Sequence, residues 1–231
     1  MSFVIEPSEI TVLPVVGEEG SFPIRRVFCV GRNYADHVRE MGGDPNKGTP
    51  VFFTKPTDAV VPVIVGGSGD IPYPPGTNDF HHEVELVVAI GKKAVGVKAE
   101  NAMGHVYGYA VGIDFTRRDL QNKMKDGGKP WDIAKAFDFS GPCGPITKCD
   151  DVNLDGAAIT LSVNGDERQS GNLDQMIWSV MEVIESLSGL FTLMPGDLIF
   201  TGTPDGVGSV VTGDKVDCAI DGLTSLSVRI T

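Results

Sequence analysis

Hydrophobic residues fall along this chain in short clusters separated by Gly- and Pro-rich stretches, a pattern that predicts many short strands and few helices. The segment RVFCVG, Arg26 to Gly31, predicts a strand that runs into RNYADHVREM, a short helix with Asn33 placed to cap it and Gly42-Gly43 placed to end it. VFFTKP and AVVPVIV read as further strands, and GGSGDIPYPPGTND as a loop. In HVYGYAVGID, His105 to Asp114, one face is Val106, Gly108, Ala110, Gly112 and Asp114, small enough for a neighbouring segment to pack very close. TRRDLQNKMKDGG fits a helix closing on Gly127-Gly128. NLDQMIWSVMEVIESLSG places Leu173, Ile177, Val180, Met181 and Ile184 at helical spacing, with Asn172 as cap and Gly189 as stop, and so predicts the one long amphipathic helix. MPGDLIFTG, GDKVDCAID and LTSLSVRIT are strands that close the chain, whereas residues 1–25 read as an extended lead-in interrupted by Pro7, Pro14 and Pro23. This is a mixed, β-rich α+β pattern, unlike the regular alternation of a doubly wound fold.

One strand departs from ordinary alternation. In FHHEVELVVAI, Phe80 to Ile90, positions 84, 86, 88 and 90 are Val, Leu, Val and Ile, a core face. The opposite face is Glu83, Glu85, Val87 and Ala89, and a face open to water would stay polar beyond its second residue. The two carboxylates are therefore expected at the mouth of a closed cleft. Taken alone, Glu-x-Glu also fits the wet side of an antiparallel strand.

Composition narrows the chemistry. The net charge of −12 disfavours nucleic acid, which requires clustered Lys and Arg, so an anionic ligand would need local cations to recruit it. No apolar run reaches the roughly 18 residues of a membrane span, and the N-terminus lacks a basic region or cleavage-like segment. A soluble, cytoplasmic protein with four reduced thiols and a single core is the expectation. G-x-S-x-G, G-x-x-x-x-G-K-[ST] and G-x-G-x-x-G are all absent. What remains is acidic: Glu83 and Glu85 from one strand face, with Asp114 at the end of the small-faced strand as the natural third. Three carboxylates about 5 Å apart repel by roughly 3 kcal/mol per pair at an effective dielectric of 20, so such a trio needs a cation or bound protons. Hard divalent cations take oxygen ligands of this kind.

GRNYADHVREM, FFTKPTDAVV, HHEVELVVAIGK, GYAVGIDFTRRDLQ, DIAKAFD and PGDLIFTGTPDGVG, in this order, resemble the fumarylacetoacetate hydrolase family from about Arg26 to Val211. The joint order of six motifs is specific where each motif alone is not, and the lead-in PVVGEEGSFPIRRVFCVGRNY is most similar to the fumarylpyruvate hydrolase and acylpyruvase branch. The resemblance implies a β-roll in a single catalytic domain over residues 26–231, a homodimer, and Mg²⁺ or Mn²⁺ held by Glu83, Glu85 and Asp114. It further implies cleavage of a carbon–carbon bond in a small anionic 2-oxo acid, a 2,4-dioxo acid such as an acylpyruvate, giving pyruvate and a carboxylic acid. An oxaloacetate decarboxylase, or an isomerase of unsaturated 2-oxo dicarboxylates, on the same scaffold is the alternative.

Within that reading, His37 and Glu40 share a helix face, which lets Glu40 orient the imidazole as general base for a water, and their short helix suits a lid over the substrate. An i,i+3 His/Glu pair is otherwise an ordinary surface contact. Lys135, within the apolar IAKAF, is expected beside the developing enolate, although such a lysine also fits a snorkelling side chain. Gln121, an i,i+4 neighbour of Arg117, is a donor for the 4-carbonyl oxygen, and one of Arg117 and Arg118 faces the substrate. Thr203 in the Gly-rich TGTPDGVG is placed to hold a substrate carboxylate, with Arg32 and Tyr34 as further binding candidates. His81 and His82 are read as surface or supporting groups rather than ligands.

Overall fold

The computed structural model describes residues 3–46 and 48–231. At its centre lies an eight-stranded sheet in the order Phe52–Lys55, Arg26–Val30, Asp197–Phe200, Val84–Ile90, Val106–Ile113, Gly141–Cys143 and Val60–Pro62, with Thr147–Lys148 also paired to Val106–Ile113. Both faces of this sheet are covered, as the near-continuous apolar strands require. One face, through Val84, Leu86, Val88, Ile90, Val111 and Ile113, packs on a five-stranded sheet through Ile159, Leu161, Val216 and Val228, and on the helix Val180–Leu190 through Val183, Ile184 and Leu187. Its other face, through Val27, Cys29, Val87, Ala89, Ala110, Leu198 and Phe200, packs on Leu13, Val15, Phe22 and Ile24. These last four belong to the lead-in, where the prolines do not prevent a two-stranded pairing of Val12–Pro14 with Ser21–Pro23. No helix among the described residues is long and apolar enough to cross a membrane, and all four cysteines are free thiols.

The strand expected over 80–90 is two strands. Phe80–His82 belongs to a three-stranded sheet with Thr116–Arg117 and Gly208–Ser209, and Val84–Ile90 belongs to the main sheet. The chain changes sheets at Glu83, whose carbonyl still accepts from the Asp114 N–H at 2.8 Å. Glu85 lies opposite Gly112 in the register of the next strand. Glu83, Glu85 and Asp114 are thus brought together where two sheets diverge, beyond the apolar layer of Val87, Ala89 and Ala110.

The small face of Val106–Ile113 is used as its composition predicts. A Cβ on Gly108 would lie 2.2 Å from the Thr147 carbonyl oxygen, and one on Gly112 would lie 2.6 Å from Val87 and 2.7 Å from Phe200. Gly108→Ala must displace backbone rather than a flexible side-chain end, and it is expected to destabilise the fold by about 2–4 kcal/mol. Urea unfolding of this variant against Gly104→Ala, where a Cβ meets nothing within 4 Å, measures the difference.

Three expectations about local structure need correction. The amphipathic helix does not begin at Asn172. That residue caps only the single turn Leu173–Gln175, the chain then extends, and the helix starts at Val180 under a Ser179–Glu182 capping box. Gly189 lies inside it, not at its end. Asn33 does not cap the helix Ala35–Glu40. Its amide donates to the Trp178 and Thr201 carbonyls at 2.9 and 2.7 Å and accepts from the Trp178 N–H at 2.7 Å. Finally, the loop over 66–79 contains a strand, Gly69–Ile71, which pairs in parallel with the C-terminal strand Leu226–Ile230.

Candidate active site

Glu83, Glu85 and Asp114 each offer an oxygen within 4.8 Å of the others, and all three are buried. Burial of three carboxylates in one place demands compensation. Part of it comes from cations. The Lys135 Nζ lies 2.7 Å from Glu83 Oε2 and 2.7 Å from Asp114 Oδ2 and donates to Thr116 Oγ1 at 2.6 Å. Arg118 forms a close ion pair with Glu83, and Lys55 Nζ lies 2.8 Å from Asp114 Oδ1. Burial alone pushes the Glu83 carboxyl up, but Lys135 and Arg118 outweigh it and hold the group well below the usual carboxylate range. Glu85 has no such cation. Its hydrogen bond comes from the Gly202 N–H at 2.8 Å, and burial, with Asp114 and Glu83 nearby, pushes it well above the usual range.

The trio fits a divalent cation on the chemistry of its donors: three carboxylates, no thiolate and no imidazole among them. Asp114 Oδ1 is buried with no well-aligned hydrogen bond despite the Lys55 ammonium nearby, which leaves it a lone pair to give. Glu85, which no lysine or arginine pairs directly, would gain a charge partner from such a cation.

The same cleft is lined by His37, Gln121, Arg118, Lys135, Thr203 and Arg32. His37 is buried on the helix Ala35–Glu40, with Nδ1 3.1 Å from Glu40 Oε2. A carboxylate there holds the proton on Nδ1 and leaves Nε2 as the free base. The other oxygen of Glu40 accepts from the Gly206 N–H at 3.1 Å, so the helix already stands tethered to the Gly-rich loop rather than open as a detached lid. Gln121 accepts from Arg118 through Oε1, which leaves its NH₂ group to donate elsewhere. Thr203 Oγ1 accepts from Gln169 Nε2 at 2.8 Å and so keeps its own proton for a ligand.

One expected binding residue is turned away from the cleft. Arg117 points away, donating to the Ile133 carbonyl at 3.0 Å with its guanidinium 4.3 Å from the centre of the Phe137 ring. Arg118 and Gln121, at i,i+3, are the pair that shares the inner face, not Arg117 and Gln121. Tyr34 is buried with its hydroxyl unpartnered, and burial, with Glu85 nearby, pushes that phenol up. Conversely, Lys55 and Gln169 are not among the expected site residues, whereas His82 takes the supporting place expected of it. Lys55 donates to the Lys135 carbonyl and to Ser140 Oγ at 3.0 Å, and thereby holds the turn that carries Lys135. Its signal was present, a lysine closing the apolar strand FFTK as Lys135 closes DIAK. Gln169 sits in the polar strand DERQSGN, which carries no such signal, and receives the buried His82, whose pKa burial depresses to about 4.

A buried carboxylate trio, flanked by lysines and sharing its cleft with a His–Glu pair, defines a site suited to a divalent metal. The chain belongs to the fumarylacetoacetate hydrolase family: its C-terminal domain description matches residues 26–231. It is similar to fumarylpyruvate hydrolase of a Ralstonia species, at 43% identity over 78% of this chain and 91% of the relative. It is also similar to oxaloacetate tautomerase YcgM of Escherichia coli K12, at 39% identity over 90% of this chain and 94% of the relative. Among solved structures, fumarylpyruvate hydrolase of Pseudomonas aeruginosa in complex with Mn²⁺ and pyruvate superimposes with a TM-score of 0.97 at 51% identity, covering 100% of this chain and 99% of that one. The chain is accordingly an enzyme of the class that hydrolyses carbon–carbon bonds, on a β-roll with few short helices.

Proposed function

We propose that this enzyme hydrolyses the C3–C4 bond of a 2,4-dioxo acid, fumarylpyruvate or another acylpyruvate, to pyruvate and a carboxylic acid. The observation that carries the reading is that the His37–Glu40 pair opens on the same cleft as the carboxylate trio, Lys135 and Gln121. A similar protein bound to Mn²⁺ and pyruvate supports it. When bound to the trio, Mg²⁺ or Mn²⁺ supplies Lewis acidity and a chelating point for a 2-oxo carboxylate. His37 Nε2 takes a proton from water as its oxygen adds to C4, and Glu40 steadies the imidazolium. The Gln121 amide donates to the 4-carbonyl oxygen as it gains charge. The C3–C4 bond then breaks with its electrons passing into the C2–C3 enolate, whose charge the Lys135 ammonium faces. The proton held by His37 then passes to C3, directly or through water, which completes pyruvate and restores the neutral imidazole, and the acyl carbon leaves as the acid.

Charge balance supports the same substrate class. Lys55, Lys135 and Arg118 offset the three carboxylates, so a divalent cation leaves the site at about +2 until an anionic substrate enters. Esterifying the 1-carboxylate of an acylpyruvate is therefore expected to lower turnover by roughly 10²-fold or more. Loss of enol absorbance, with pyruvate measured as product, tests both points: no pyruvate from any acylpyruvate, or equal rates for acid and ester, would refute the reading. A second reading, tautomerisation or decarboxylation of oxaloacetate, draws support from the E. coli relative's name and from Lys135, because it needs the enolate but no attacking water.

A further inference from the structure

The edge strand Asp166–Asn172 of the five-stranded sheet supplies no residue to the cleft, yet one of its side chains touches the cleft wall. Gln169 is completely buried, and all the hydrogen-bonding capacity of its amide is spent. Oε1 accepts from the Val84 N–H at 3.1 Å and faces His82 Nδ1 at 3.0 Å, while Nε2 donates to Thr203 Oγ1 and to the Pro204 carbonyl, both at 2.8 Å. The amide cannot be turned over. A backbone N–H only donates, so the atom facing Val84 is the oxygen, and a carbonyl only accepts, so the atom facing Pro204 is the nitrogen. His82 therefore carries its proton on Nδ1, and Thr203 Oγ1 must accept from Gln169.

Thr203 is itself buried and lines the cleft beside the carboxylate trio. Its hydroxyl makes no other hydrogen bond among the described residues, so its own proton has no acceptor there. A buried donor left in that state is costly, and the space it borders is where a ligand binds. Thr203 also cannot swing aside. Its loop is pressed onto the Gln169 strand: a Cβ on Gly206 would lie 2.1 Å from the Arg168 carbonyl oxygen, and one on Gly171 would lie 2.8 Å from Pro204. The same loop has separate ties to the site, through the Gly202 N–H on Glu85 and the Gly206 N–H on Glu40.

We propose that Gln169 is a positioning residue: by donating to Thr203 Oγ1 it turns the hydroxyl proton into the cleft, where Thr203 donates it to an anionic oxygen of the bound oxo acid. The role rests on the reading above only in taking a small oxo acid as the ligand, not on which bond is cleaved. It differs from that of a residue that merely joins two sheets. A joint acts on the whole loop, and so on Glu85 and Glu40, whereas a residue that aims one proton acts on ligand affinity.

The test is a double-mutant cycle on the parent, Gln169→Glu, Thr203→Val and the double variant, read by calorimetric binding of oxalate with Mn²⁺ present. Glutamate keeps the shape of glutamine, but an ionised carboxylate accepts where the amide donated, so the threonine proton is drawn out of the cleft. Each single variant is expected to weaken oxalate binding about 10-fold, and the double variant no further than either alone. Thr203→Ser, which keeps the hydroxyl, should bind oxalate nearly as the parent does. In Gln169→Glu, KM for an acylpyruvate should rise while kcat and Mn²⁺ affinity change little, because the hydrogen bond is present in ground and transition states alike. Losses that multiply in the double variant, or parent-like affinity in either single variant, would overturn the role. A fall in Mn²⁺ affinity as large as that in oxalate affinity would reduce Gln169 to a joint between sheets. A second measurement needs no change at residue 169: nitrogen-15 spectra of the histidine-labelled parent should show His82 as the neutral Nδ1–H tautomer. The Nε2–H tautomer would mean a reversed amide, with the Thr203 proton spent on Gln169, and would refute the proposal. Intact coupling with no cleavage of any acylpyruvate would refute the hydrolase reading and leave Gln169 its role. Oxalate that does not bind the parent would refute both.

Discussion

Asp114→Asn is expected to lower acylpyruvate hydrolysis by roughly 10³-fold and to weaken Mn²⁺ binding by about 100-fold or more, while the protein still unfolds cooperatively. Asp114 stands at the end of the small-faced strand with Oδ2 on Lys135 and Oδ1 lacking a well-aligned hydrogen bond. Asparagine keeps the shape and one acceptor oxygen but removes the charge that a hard cation selects. The neighbours are not stranded: Lys135 retains Glu83 and Thr116, and Lys55 retains the Lys135 carbonyl and Ser140. Metal loss is thus separable from collapse of the cleft. Titration of Mn²⁺ by electron paramagnetic resonance, beside thermal unfolding and turnover, makes the distinction. In the parent, chelation should abolish turnover, and Mg²⁺ or Mn²⁺ should restore it. Full turnover after exhaustive chelation would end the metal-centred reading.

How much of this could be read beforehand depends on where the signal lives. Alternation is local, so the two-faced strand after Glu83, the small face of Val106–Ile113 and the Glu83, Glu85 and Asp114 grouping were all legible. Helical spacing is also local, but it does not mark where a helix begins when a polar strand precedes it. Ile177 shares the spacing of Val180 and Ile184, yet its N–H is taken by the Asn33 carbonyl at 2.7 Å, a partner far away in sequence. The Asn33 side chain is likewise taken by Trp178 and Thr201, which removes it from its expected capping role. Arg117 and Arg118 are indistinguishable in sequence because the helix phase is set by the preceding two-residue strand, which turns Arg117 outward and Arg118 toward Glu83. Gln169 escaped because its role, between His82 and Thr203, is made by two sheets meeting, which no spacing along one segment encodes.

Removing the base should separate hydrolysis from the other enolate chemistries of this scaffold. His37→Ala and Glu40→Gln are each expected to lower acylpyruvate hydrolysis by roughly 10²- to 10⁴-fold, the range of general-base catalysis. Mn²⁺ binding should stay near that of the parent, because neither residue belongs to the trio. Glu40→Gln is the subtler change. Its single amide oxygen can accept from only one of the imidazole Nδ1–H and the Gly206 N–H, and it carries no charge to stabilise the imidazolium, so a loss in kcat with KM little changed is the expected split. Decarboxylation of oxaloacetate should fall less in both variants, since its enolate needs the Lys135 ammonium and the metal but no water at a carbonyl. Assaying acylpyruvate cleavage and oxaloacetate decarboxylation on each variant, alongside the metal titration, gives the answer. A parallel fall in both reactions would mean that His37 acts on the shared enolate rather than on water. Hydrolysis that survives in both variants would place activation of the water elsewhere in the cleft and leave the His37–Glu40 pair with the structural task of tying its helix to the Gly206 loop.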